Sequence, residues 1–357
     1  MTRKVERSRE SFEELFFHAN VTYEVPMRVE VDLNVVFASR ATGFRELLTT
    51  VVFARLIDYQ YDPTVELYEC HPRPLYEQII RPVLRERGVP CGQSGPLNVA
   101  KAAKSLNEQW AAQRRPPQVA QAMLRLIEEA LTMRPAGLGA FARELGVRFD
   151  ALALEVVLTK AYLPPVDSSA ELARVARHLI DRHPLGGATP QLLVGVALEA
   201  EFLPIGGACV EGARDSVSTT NLTSGKVGDV AVTIDGALAR VYEVTIKPFT
   251  PQRIDECVQS IDGYFSHKLP EDMVVIVLCR QGDVPADCKP TSDPLFLGEL
   301  IRGGIVFEFV NIYGWLAGKL AELPLTGRRY FFEQVQDYLN GSRVPKEVRQ
   351  SWINSFS

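Results

Sequence analysis

The hydrophobic pattern of the chain changes period about halfway along. Up to about residue 185 apolar side chains recur mainly at helical spacing. Segment 44–59 (FRELLTTVVFARLIDY) predicts one helix. Segment 74–87 predicts another, with Leu75, Ile79, Ile80, Val83 and Leu84 in one stripe. Helices are also expected at 99–113, at 118–133 behind the Pro116-Pro117 break, and at 169–182. The exception is 23–37, where Val29, Val31, Leu33 and Val35 alternate with polar partners and predict a strand or hairpin. After 183–187 (HPLGG) the texture becomes mixed. Thr189-Pro190 reads as an N-cap followed by a first-turn proline, opening a helix to about residue 202. Segments 229–234 (DVAVTI) and 239–246 (ARVYEVTI) flank Asp235-Gly236, a strong hairpin signal. Thr250-Pro251 predicts a helix to about residue 265. The apolar run 273–279 (MVVIVLC) predicts a strand buried on both faces, 305–312 a further strand, and 329–339 a closing helix.

The second half therefore reads as a mixed sheet flanked by helices, an α/β fold. Two regions are expected: a mainly helical 1–187 and an α/β domain at 188–357. The 357 residues suffice for two ordinary cores, and 46% hydrophobic with 23% charged residues is the balance of a soluble globular protein. The first residues lack the apolar centre of a secretion signal, and no run has the length of a membrane span, so a cytoplasmic protein without a membrane partner is expected. Six cysteines without a CxxC pair read as small buried hydrophobes rather than zinc ligands. A net charge of −5 argues against a uniformly basic, nucleic-acid-coating surface but leaves room for a locally basic cleft. The five histidines show no triad or ligand spacing. Gly225-Lys226 lacks the other parts of a phosphate-binding P-loop, which argues against an ATP-driven motor.

Chemistry concentrates in GDVAVTIDGALARVYEVTIK. Asp229 opens the first hairpin strand and Glu243 lies in the second. Strand periodicity sends Glu243, Thr245 and Lys247 to one face and Val244 and Ile246 to the core. Charges along one face of an apolar strand are costly unless paired, and a divalent ion with a phosphate would pair them. Mg²⁺ is suited to one or two carboxylates plus water and phosphate oxygens.

This arrangement resembles the PD-(D/E)XK nuclease superfamily, in which an acidic residue opens one strand and acid-x-lysine follows on the next. The likeness covers about 188–312. Chain length, the helical first half and the late motif are further similar to type II restriction endonucleases, with the SacI family as nearest candidate. That resemblance implies a restriction-endonuclease-like sheet and a homodimer making Mg²⁺-dependent double-strand cuts in DNA, with Mn²⁺ able to substitute. It implies a palindromic site (GAGCTC for the SacI family) and a prokaryotic cytoplasmic setting. A DNA methyltransferase would share the cell without being a physical partner. It also implies metal ligation by Asp229 and Glu243, with Glu199 or Glu201 contributed by the preceding helix. Two departures stand out. Gly228 replaces proline before the first acid, and acid and lysine are four apart rather than two (Glu243 to Lys247). Either Thr245 holds the second-acid position with Glu243 displaced, or Thr245 holds the lysine position with Lys247 auxiliary.

For DNA contact the candidates are Lys101, Lys104, Arg114 and Arg115 around Trp110, and Thr220, Asn221 and Lys226 just before Asp229. A structure-specific repair or junction-resolving nuclease, and a non-catalytic DNA-binding protein on a degenerate nuclease core, are the competing readings.

Overall fold

The computed structural model describes residues 3–21, 24–92, 95–215, 227–266, 268–270, 272–342 and 344–356. The chain divides into two compact units, residues 1–160 with 341–345 and residues 161–340 with 346–357. The division falls ahead of the boundary expected at 187/188. Helix Ser169–Arg182 packs against Ile312–Glu322 and so belongs with the second unit.

The first unit is helical throughout its described elements, around a core that includes Phe12, Phe16, Leu48, Phe53, Leu126 and Phe141. The described part of segment 23–37 is not a strand: Met27–Ala38 is a helix. Its buried residues, Val29, Leu33, Val36 and Phe37, fall at i, i+4, i+7 and i+8, while Val31 is exposed. The valines alternate only by coincidence with that helical stripe. Asp32 shares the inner side because Arg125 clamps its carboxylate with two hydrogen bonds. The helix expected at 99–113 is broken into Leu97–Ala100 and Glu108–Gln113. Asn107 restarts it by accepting the Trp110 N–H at 2.9 Å. The helices at Gly43–Ile57, Pro117–Thr132 and Ser169–Arg182 match their sequence patterns. The 24-residue helix Pro135–Leu158 was not expected, since Gly137, Gly139 and Gly146 interrupt its apolar pattern.

The second unit is built on a seven-stranded mixed sheet. Its strands are β1 (Ala208–Glu211), β2 (Val230–Ile234), β3 (Ala237–Val244), β4 (Val274–Cys279), β5 (Lys289–Pro290), β6 (Phe296–Arg302) and β7 (Ile305–Asn311). They lie in the order β1-β2-β3-β4-β7-β6-β5. Both outer pairings at each end are antiparallel, whereas β3, β4 and β7 run parallel through the centre. The β2–β3 turn places Asp235 and Gly236 at positive φ (50° and 79°), the twist that a two-residue hairpin connection requires. Helix Ala188–Phe202 precedes β1. It starts one residue before Thr189, whose hydroxyl donates to the His183 carbonyl instead of capping. Helix Pro251–Tyr264 follows β3 and is capped as expected, Thr250 Oγ1 accepting the Arg253 N–H.

Side chains alternate across β3 and β4. Val241, Val275 and Val277 join Ile254, Cys257 and Ile261 in the core beneath helix Pro251–Tyr264. Tyr242 points the other way, where its ring meets Trp315 at 5.7 Å. Glu243 has the parity of Val241 and so enters the face that helix Pro251–Tyr264 covers. Among the described residues no helix is long and apolar enough to cross a membrane.

Candidate active site

β3 is paired on both sides, so a carboxylate at its inner end is enclosed by backbone. Glu243 is 2% exposed. Asp229 sits immediately before β2, where its Oδ2 accepts the Val244 N–H at 3.0 Å, tying it across the hairpin to the residue after Glu243. Gly228 is what allows this approach. A Cβ there would lie 2.6 Å from Val241 Cγ1 and 3.1 Å from the Tyr242 carbonyl, so the position has no room for the proline of the PD-(D/E)XK pattern. On the other side, Gln191 Nε2 donates to the Gly212 carbonyl at 2.6 Å and to that of Asp229 at 3.4 Å, holding the Asp229 backbone from helix Ala188–Phe202.

The cation between the two carboxylates is Arg253. Its Nη2 lies 3.4 Å from Asp229 Oδ2 and 3.3 Å from Glu243 Oε2, and its Nη1 donates to Thr245 Oγ1 at 2.9 Å. The Cys257 thiol, one helical turn on, donates to Glu243. Burial, and next the Asp229 charge, push the Glu243 carboxyl up to about 8; Arg253 offsets only part of this. The site is thus short of positive charge, and the two-carboxylate donor set fits a divalent ion of the Mg²⁺ type.

The Glu243 shift has a measurable consequence for the metal-free protein. Its carboxyl titrates near 4.5 when unfolded and near 8 when folded, so the folded state alone holds the proton between those values. That contribution is complete below the unfolded value and is lost as the pH rises through the folded one. In EDTA the melting temperature is expected to fall as the pH rises from about 4.5 to about 8 and to level off above that, and Glu243→Gln should flatten the slope. An unaltered slope in the variant would contradict the assignment.

Lys247 departs from its expected place. β3 ends at Val244, and the chain turns so that Thr245 Oγ1 accepts the Lys247 N–H at 3.1 Å and donates to its carbonyl at 2.9 Å. Lys247 is exposed, and among the described residues its ammonium has no ion-pair partner. Thr245 is buried on the same face as Glu243, as the strand period requires, and Val244 is buried on the other; Ile246 is only half-buried. With Arg253 as a third partner, the Thr245 hydroxyl has both lone pairs and its proton engaged.

Glu199 is not gathered into the site. Arg214 grips both its oxygens and Tyr330 donates to it at 3.2 Å, while Glu201 pairs with Lys319 at 2.9 Å. Among the described residues no group of three acidic, His or Cys side chains is placed to hold a metal. The site therefore offers a metal two carboxylates rather than three. In the first unit Lys101, Lys104 and Arg115 are exposed, and Arg114 lies 5.8 Å over the Trp110 ring. Thr220, Asn221 and Lys226 lie outside the described residues. Arg253 was missed in the sequence because an arginine on an amphipathic helix reads as surface. The usable signal was its distance from the Thr250-Pro251 cap, which places it in the first turn beside the end of β3.

No protein-family model matches this chain, and no curated protein matches it in sequence.

Proposed function

We propose that this chain is a Mg²⁺-dependent, site-specific endodeoxyribonuclease of the type II restriction class, acting as a homodimer on double-stranded DNA. The reading rests above all on one observation: Asp229 and Glu243, from adjacent strands, converge on a single guanidinium nitrogen. Its support in the fold is the succession of a helix, three antiparallel strands, a capped helix and a parallel strand. That succession agrees with the hairpin flanked by helices in the PD-(D/E)XK pattern and favours a restriction-endonuclease-like sheet.

In this reading Asp229 and Glu243 hold the divalent ion, which, when bound, supplies positive charge against the phosphate and acidity for the attacking water. The protein's own contribution is placement. The Val244 N–H fixes the Asp229 carboxylate, Cys257 orients Glu243, and the shielded pocket limits the water that competes for their charge. Water adds to phosphorus as the bond to the 3′ or 5′ oxygen breaks; the attacking water gives one proton up to solvent and the leaving oxygen takes one from solvent. Thr245 is a positioning residue, since its hydroxyl has no lone pair left to take a proton. Lys247, exposed and off the strand, serves as an auxiliary phosphate contact. Lys247→Ala is accordingly expected to leave cleavage within a few-fold of the parent in single-turnover assays; a loss as deep as that of Glu243→Ala would return Lys247 to the centre of the mechanism.

The reading is tested by incubating supercoiled plasmid with the purified chain in Mg²⁺ and in EDTA. Linear product formed only with Mg²⁺ supports it. Cutting confined to branched or damaged DNA favours a structure-specific nuclease, and DNA binding without cutting in Mg²⁺ or Mn²⁺ favours a binding protein on a degenerate core.

A further inference from the structure

We propose that Arg253 is the internal counter-cation of the site. It occupies Asp229 and Glu243 until a divalent ion takes them, and its released guanidinium then pairs with the phosphodiester being cut. The second half of the proposal rests on the nuclease reading; the first does not.

The contacts are those of an occupant that can be displaced. Charge-assisted N–H···O⁻ bonds run to about 2.7–2.9 Å, whereas Arg253 Nη2 is shared between two carboxylates at 3.4 and 3.3 Å. Those two oxygens, Asp229 Oδ2 and Glu243 Oε2, are on the carboxylates that a metal would use. Guanidinium and metal therefore compete for one position. The Arg253 side chain is 31% exposed, against 3% for that of Glu243, so the cation stands at the open side of the pocket and the acid at its floor. Two further contacts keep the side chain nearby once it lets go. Nη1 is held by Thr245 Oγ1 at 2.9 Å, and the guanidinium lies 5.1 Å over the Phe249 ring. A planar cation retained at the mouth of a two-carboxylate site is shaped to meet two phosphate oxygens.

The test uses the full-length, metal-free protein and Mn²⁺ alone, with free Mn²⁺ read by electron paramagnetic resonance. Removing a competing cation should tighten binding, so Arg253→Met is expected to lower the Mn²⁺ Kd by at least about tenfold, as loss of a charge-assisted bond implies. Arg253→Lys, which keeps the charge, should stay near the parent. Arg253→Gln keeps a donor for Thr245 and gives the same reading should the methionine variant not fold. In single-turnover cleavage at saturating Mn²⁺, Arg253→Met should be slower by at least about a hundredfold. Metal affinity and rate moving in opposite directions is the signature, because a merely structural arginine would weaken both. Unchanged or weaker Mn²⁺ binding in folded Arg253→Met and Arg253→Gln overturns the proposal. A parent protein that cuts no DNA overturns the nuclease reading and the phosphate contact, while the Mn²⁺ titration still decides the competition.

Discussion

Replacing Asp229 or Glu243 by alanine is expected to lower metal-dependent DNA cleavage by on the order of a thousandfold or more, with DNA affinity in EDTA little altered. Each carboxylate supplies charge that its partner alone cannot replace, because among the described residues only these two converge on Arg253. The two variants should differ in stability. Asp229→Ala leaves the Val244 N–H without its acceptor, at a cost of roughly 1–3 kcal/mol. Asp229→Asn keeps an acceptor and should fold like the parent, yet cleave no better than alanine. Glu243→Gln removes a charge that burial penalises and should leave stability near neutral pH intact. Single-turnover rates paired with urea denaturation separate these effects. Full cleavage by a folded Asp229→Asn protein would remove the carboxylate from the mechanism.

Gly195→Val is expected to be strongly damaging although it lies away from the carboxylates. A Cβ at Gly195, on helix Ala188–Phe202, would lie 2.2 Å from the Ala213 Cβ and 2.7 Å from its Cα. One contact is backbone, so relief requires the helix to move. Overpacking of this kind costs up to about 3 kcal/mol and sometimes more, which outweighs the roughly 1 kcal/mol that helix propensity returns on replacing glycine. The same helix carries Gln191, whose amide holds the carbonyls of Gly212 and Asp229. Urea unfolding should therefore shift to lower midpoint and cleavage should fall as well. A variant as stable as the parent would show that helix and loop do not approach this closely.

Much of the second unit was legible from local signals. Asp235-Gly236 fixed the hairpin because few residues other than glycine, asparagine and aspartate tolerate positive φ, and Thr250-Pro251 fixed a helix start. The run 273–279 was recognisable as a central strand from its continuous apolar composition, and it is paired on both sides, although Val274 is exposed and Ile276 half-buried on one of its faces. The edge strand β5 and its neighbour β6 carried no such mark; β5 is only two residues long. In the first unit the error at 23–37 came from reading four valines and leucines without asking where Phe37 and the buried Asp32 would go. In the site, Asp229, Glu243 and Thr245 followed from strand parity, which holds only while the strand lasts. It ends at Val244, three residues before Lys247, because the Thr245 hydroxyl satisfies the Lys247 backbone locally. Arg253 was hidden for the opposite reason: its spacing from the Thr250-Pro251 cap puts it in the first helical turn, but that this turn meets the two carboxylates depends on a tertiary approach between helix and sheet. Glu199 shows the same limit, since Arg214 and Tyr330 claim its carboxylate from distant segments.

The central claim is that Asp229 and Glu243 serve sequence-specific DNA hydrolysis. Its most direct test is digestion of phage DNA by the purified chain in Mg²⁺, with every fragment end mapped by sequencing. The account predicts discrete fragments whose ends share one palindromic motif, formed by the parent and not by Asp229→Asn. Intact DNA in both Mg²⁺ and Mn²⁺ from a folded protein, or cutting equal in parent and variant, would contradict it.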